Sequence, residues 1–419
     1  MSLEIVAQVR VDGGVPVERL MCHPRLPYIA GWDSERPAVR IWEHAGGNLR
    51  ERGVVGGDKP TYPAEAWERF DRIPAAAWHP YEPLLVVAAE GQITQWSADG
   101  VSTLSAVPAS AGYHCLAFSP DGHTLWASPA TSEDDAWESS DVIDLVSGAV
   151  SPGPRWDTGV TVHPGGGLVA TLRSDQAATY VAFARVDGGV GAAMRQLDRT
   201  LILNVDGYEA PVFSADGRHF AIRGNAYEQT LEVFEFPSLE RVLGTTLGPP
   251  CPGYPYPDEW VEEMEAWSRH NTVFGTRHDV LWIGTPAGML LEVDIHGEDV
   301  VQHDVLTRAP VTSLALTASG EFVVADGDGG LQILSQPGDR PGEREASQEA
   351  SRLCVAEFVA ATSEIPDGAD WEDHAVRTDG ERTWHPDDLE SVTETGESDP
   401  PWLQIHAAVN RAVSARGAS

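Results

Sequence analysis

The sequence predicts an all-β chain closed into a ring of seven four-stranded sheets, a seven-bladed β-propeller. Three observations predict it. The phrase "FSPDG" at 118–122 returns as "FSADG" at 213–217. The frame around those phrases, an apolar residue, a turn and a second apolar run, occurs seven times, anchored at His23, His79, Ser119, His163, Ser214, Gly275 and Thr317. The anchors are 56, 40, 44, 51, 61 and 42 residues apart, and the shorter spacings match the period of a four-stranded blade.

The frame holds at every slot. Before the anchors stand Cys22, Trp78, Phe118, Val162, Phe213, Phe274 and Leu316. Six residues after them stand Ile29, Leu85, Leu125, Val169, Phe220, Leu281 and Val323. Each unit reads as an apolar strand, a reversal rich in Pro, Asp and Gly, and a returning strand. Asp-Gly supplies the positive φ a tight reversal needs. Third strands follow at "AVRIWE" (38–43), "QITQWS" (92–97), "QTLEVFEF" (229–236), "MLLEVDI" (289–295) and "LQILS" (331–335), and more polar fourth strands follow these, as at "LERVLGTTL" (239–247). One such sheet cannot bury both faces, and packing blades about an axis solves that. The last unit has only three strands, whereas the leading "LEIVAQVRV" (3–11) has no partner of its own. That strand is expected to be the outermost of the seventh blade and to close the ring.

The spans expected are 1–336 for the propeller, 337–345 for a linker, and 346–419 for a small C-terminal α/β extension. The linker "PGDRPGERE" is called by composition. In the extension, Leu353, Ala356 and Val359, with Phe358 and Ala361 beside them, suggest a helix. "HAVRTDGERTW" suggests a hairpin and "HPDDLESV" a short capped helix. The terminal segment suggests a helix with Trp402, Ile405, Ala408, Val409 and Ala412 on one side.

"VRIWE", with Glu43 where Asp is usual, and the turn "SPDG" resemble the WD-repeat family of propellers over residues 3 to about 336. The resemblance implies a scaffold whose ring faces bind other proteins. Propellers of this kind are also associated with bacterial AAA+ ATPase assemblies, which makes a regulatory subunit of such a system an alternative. A hydrolase or lactonase using the central channel is a further one.

Composition narrows the partners. The net charge is −36, which repels phosphate backbones and anionic lipid, so neither nucleic acid nor membrane is an expected partner. No apolar run is long enough to span a bilayer, and "MSLEIVAQVRVDGG" has no secretory pattern. Cys22, Cys115, Cys251 and Cys354 are too scattered to suggest a disulfide framework, so reduced thiols and a cytoplasmic location are expected. Lys59 is the only lysine; arginine usage of this kind points to a GC-rich, bacterial source.

Two long spacings mark insertions that resemble each other. "TYPAEAWERFDR" (61–72) and "YPYPDEWVEEMEAWSRH" (254–270) both carry Tyr-Pro, an acid and then Trp, and both suit short helices. With "PATSEDDAWESSD" (129–141), strand parity puts all three on one face of the ring. Tyr62, Trp67, Phe70, Trp137, Tyr256, Trp260 and Trp267 are therefore the candidate partner-binding residues, since aromatics dominate interface hot spots. The competing reading is that the tryptophans pack their own loops onto the ring.

No nucleotide-binding, zinc-protease or nucleophile-elbow motif occurs. The His-Pro pairs at His23, His79 and His163 sit in equivalent turns of different blades, too far apart to converge on one metal ion. "DGDGG" (326–330) reads as a turn. Only Arg19, His114 and Glu209 sit near a channel mouth, a poor set for acid–base work. The expectation is a non-catalytic protein without metal or cofactor.

Overall fold

A computed structural model gives the fold. It describes residues 3–417 except 58–60, 64–65, 105–106, 108–111, 131–137, 176–177, 189–191, 205–206, 225–228, 298, 307–308 and 337–340. Among the described residues, seven antiparallel sheets follow one another around a ring. Six are four-strand meanders over residues 17–56, 75–103, 115–153, 160–203, 212–246 and 272–304. The seventh uses 311–335 for three strands and takes its fourth from the chain start. Strands are lettered a to d from the axis outward.

The leading strand Glu4–Arg10 pairs antiparallel with strand c of blade seven, Gln8 opposite Gln332 and Arg10 opposite Gly330. Val11 continues the pairing by donating its N–H to the Gly329 carbonyl at 2.8 Å. Ala7 and Val11 are buried against blade one and blade seven. Closure therefore rests on a ladder between the leading strand and the last strand of the ring.

The repeated frame has a physical meaning: its two apolar positions are cross-strand partners. Cys22 faces Ile29, Trp78 faces Leu85, Phe118 faces Leu125, Val162 faces Val169, Phe213 faces Phe220, and Phe274 faces Leu281. Blade seven departs by one residue. Its reversal is shorter, with Thr317 N–H bonded to Glu321 O, so Leu316 faces Phe322 and Val323 faces Ala315. Each seam between neighbouring blades is its own apolar cluster. Trp32 and Val39 meet Trp78 and Leu85 between blades one and two, and Phe183 meets Phe220 and Phe234 between four and five.

The His-Pro histidines lock adjacent blades. His163 Nδ1 accepts the Gly165 N–H at 3.0 Å, and its Nε2–H donates to the Gly217 carbonyl of blade five at 3.0 Å. His23 accepts from Arg25 and Leu26 and donates to the Glu82 carbonyl of blade two at 2.8 Å. His79 accepts from Glu82 and bonds the Gly122 backbone of blade three. In each case the acceptor is the fourth residue of the next blade's turn. Where Ser replaces His as the anchor, Ser119 and Ser214 donate to Asp121 and Asp216 at 2.7 Å and accept the Thr124 and His219 N–H groups. The repeated "DG" thus supplies an Asp that ties the turn and a Gly that receives the latch.

These histidines must be neutral to accept at Nδ1. Burial holds all three below the usual histidine range, His163 at about 4. The unfolded chain, with histidines near 6.5, binds more protons between these values, so stability is present above pH 6.5 and is lost on acidification toward 4. We expect unfolding from pH 7 to pH 5 to become easier by about 2 kcal/mol from His163 alone. His163→Gln should flatten that dependence in denaturant titrations. An unfolding midpoint independent of pH over this range would contradict the latch.

The C-terminal extension packs on the ring. Helix α3 (Pro341–Ala360) begins inside the segment read as linker. It crosses the a–b turns of blades six, five and four, where Ser347 bonds His278 at 2.8 Å and Ser351 approaches Ala215 and Gly165. The chain then rises along blade four, and Val376–Thr378 pairs parallel with strand d, Arg199 to Leu201. Thr383–Trp384 completes the expected hairpin, so blade four has six strands. Helices α4 (Pro386–Ser391) and α5 (Pro401–Gly417) cover its face through Leu389, Trp402 and Leu403. The sequence stripes hold only in part: Phe358 and Trp402 are buried and Val359 packs against the core, but other members are not. On α3, Leu353 and Ala356 face solvent while Cys354 and Phe358 are buried; on α5, Ile405, Ala408, Val409 and Ala412 are exposed. Asn410 takes the inner side of α5 because its amide satisfies the Leu389 and Val392 carbonyls, both at 2.8 Å.

Candidate functional site

The two insertions each join a strand d to the next strand a, the connection that leaves the ring on the same face as the b–c turns. Helix α1 is Ala66–Phe70 and α2 is Asp258–Glu265. Each is bound to the b–c turn of the blade before it. Tyr62 N–H donates to Glu35 O at 2.8 Å, and Gln229 Nε2 donates to Met264 O at 3.2 Å. Arg223, fully buried, anchors the second insertion with bonds to Asn271 Oδ1, Gln229 Oε1 and the Ser268 carbonyl at 2.8–3.1 Å.

The candidate aromatics separate into two groups. Trp260 is only 9% exposed; its indole donates to Pro249 O at 3.3 Å and its ring stacks on half-buried Tyr256 at 5.0 Å. Trp267 is half-buried and packs with the cluster around Leu247 and Phe274. Tyr62 is half-buried beneath Arg69, whose guanidinium lies 4.8 Å from its ring and pairs with Glu18. These side chains hold the loops to the ring. Phe70 is different: it is 56% exposed, with one face stacked on His114 at 5.3 Å. Tyr254, 89% exposed, was not singled out by the sequence reading. "YPYP" offers two equivalent tyrosines, and nothing local says which one the loop turns outward. The Trp67 side chain and all of Trp137 lie outside the described residues.

The insertion that carries Tyr254 is acidic. Asp258, Glu259, Glu262, Glu263 and Glu265 of α2 are all exposed. At the channel mouth, Arg19 lies 4.8 Å from the Trp32 ring, and His270 Nδ1 stands 3.8 Å from Glu209. Burial holds His270 at about 4, so it is neutral at pH 7. The Cys115 thiol donates to Asp157 O at 3.3 Å, and burial pushes it up to about 12. Below the mouth a cavity of about 360 Å³ lies among strands a of blades one, five, six and seven. Its wall is mostly apolar, with Leu20, Met21, Phe213, Phe274 and Leu314. In "DGDGG", Asp326 Oδ1 accepts from Asp328 and Gly330, a turn.

A scan against protein-family models gives no match, and a search of curated proteins gives no relative. What stands established is therefore the architecture: seven blades closed by the leading strand and bound across blade four by a C-terminal module.

Proposed function

We propose that this chain is a non-catalytic interaction scaffold of WD-repeat type. It docks a protein partner with a basic, apolar-pocketed surface on the face that carries the two insertions. One observation carries the reading: Phe70 and Tyr254 are held outward on loops whose other described aromatics are buried or half-buried and fix them. Exposed rings on rigid supports are what interface hot spots require. The acids of α2 and the net charge of −36 select a basic partner and speed its encounter. The apolar channel wall supports a binding role over acid–base chemistry at that level. A cytoplasmic setting, where the four cysteines stay reduced, suits this reading.

The test is the paired substitution Phe70→Ala and Tyr254→Ala. A partner recovered from the native host and then purified should bind the double variant at least about tenfold more weakly, as loss of a hot spot implies. Thermal unfolding should not shift, because neither ring is buried. Equal affinity for wild type and double variant would refute the assignment of this face.

A further inference from the structure

Three arginines in the described structure are at least nine-tenths buried, and two of them have obvious partners. Arg40 pairs with Asp33 and Glu51 at 3.2 and 3.3 Å. Arg223 is ringed by amide and carbonyl oxygens. Arg377, 5% exposed, has neither: among the described residues its side chain makes no ion pair or hydrogen bond, and its Nε–H is buried without an acceptor. A buried guanidinium left so is costly, and native structures satisfy such groups with protein, water or an ion.

Arg377 is not alone. Its guanidinium lies 5.6 Å from the Tyr180 ring and 5.7 Å from the Trp371 ring. Arg173 lies 4.4 Å from the same Trp371 ring, and its side chain also has no ion pair or hydrogen bond among the described residues. The Trp371 indole N–H is a second buried donor without an acceptor. Strand register puts these residues on one face of the sheet. Arg173 faces Tyr180, Tyr180 faces Ile202, and Arg377 faces Thr200, all on the side of blade four that the C-terminal module covers. The neighbouring charges do not neutralise the pair. Burial lowers the Arg173 pKa and Arg155 adds repulsion there, whereas Asp157, which is paired with Arg155, attracts Arg173 without forming an ion pair to it. Glu372 acts on Arg173 at a distance and forms no ion pair within 4.0 Å among the described residues, and His406 of α5 faces Arg377.

We propose that Arg173, Arg377 and the Trp371 indole form a binding site for a small tetrahedral oxyanion, a phosphate or the phosphoryl group of a small phosphomonoester. Two guanidinium groups set around one indole ring, neither of them ion-paired among the described residues, favour an anionic ligand. Three donor groups exceed what the two oxygens of one carboxylate serve well, whereas a phosphoryl group has three or four, and arginine's fork suits it. Because Arg173 belongs to the ring and Trp371 and Arg377 to the C-terminal module, the bound anion joins the two.

The test is titration calorimetry of the full chain with inorganic phosphate and, separately, glycerol 3-phosphate, against chloride at equal ionic strength. Saturable binding is expected, accompanied by a rise in unfolding temperature. Arg173→Gln and Trp371→Phe should each weaken it about tenfold, the loss of a charge-assisted hydrogen bond. Arg377→Gln serves only if it folds; half-buried Arg173 and the ring-preserving Trp371→Phe carry the test without it. Binding of both probes supports a phosphomonoester site, and binding of inorganic phosphate alone supports a free-anion site. No saturable binding of either probe, or binding untouched by Arg173→Gln, would overturn the proposal.

Discussion

Replacing Gly217 with valine is expected to destabilise the protein by roughly 3–5 kcal/mol, the sum of backbone strain, overpacking and a lost hydrogen bond. Gly217 has φ +68°, where a β-branched side chain is strained. A Cβ there would also run into the His163 ring and come within 3.0 Å of Ser351 Oγ. One atom would thus disturb the turn of blade five, the latch from blade four, and helix α3. Gly166 is the control. Its φ is +75°, but a Cβ there meets nothing within 4 Å. Gly166→Ala should cost only the strain, about 1–2 kcal/mol. Denaturant unfolding of both variants checks the pair, and equal losses would mean the latch does not hold the blades.

Phe358→Ala is expected to cost about 3–5 kcal/mol, as for other buried phenylalanines. The ring is fully buried and lies 4.9 Å from both Phe183 and Phe236, with the Arg199 guanidinium 5.3 Å from it. It plugs the seam between blades four and five from the C-terminal module. Leu353, five residues earlier on α3, is exposed, so Leu353→Ala should change stability by less than about 0.5 kcal/mol. Unfolding midpoints again decide. If Phe358→Ala is as harmless as Leu353→Ala, the helix is not docked as described.

The contrast between these residues shows what the sequence could say. Blade number, order and closure were legible because each blade repeats one local device, an apolar pair across a short reversal. The pair Phe118 and Leu125 signals itself within eight residues. The His-Pro turns were legible as structural, but their latches were not, since the acceptor lies in the next blade. The parallel pairing of Val376 with Arg199 has no local signature at all. Nor did periodicity orient α3 and α5, where small, polar and apolar residues share both faces and the docking surface decides. At the insertions, the aromatic content was visible, whereas which ring turns outward depended on packing around Trp260 and Trp267.

Hydrogen–deuterium exchange over Glu4–Arg10 tests ring closure most directly. If the strand is laced to blade seven as its ladder shows, its inward amides should exchange as slowly as those of Phe322–Asp326 in the same sheet. Exchange at the rate of an unstructured segment would mean that the chain start is not part of the wheel.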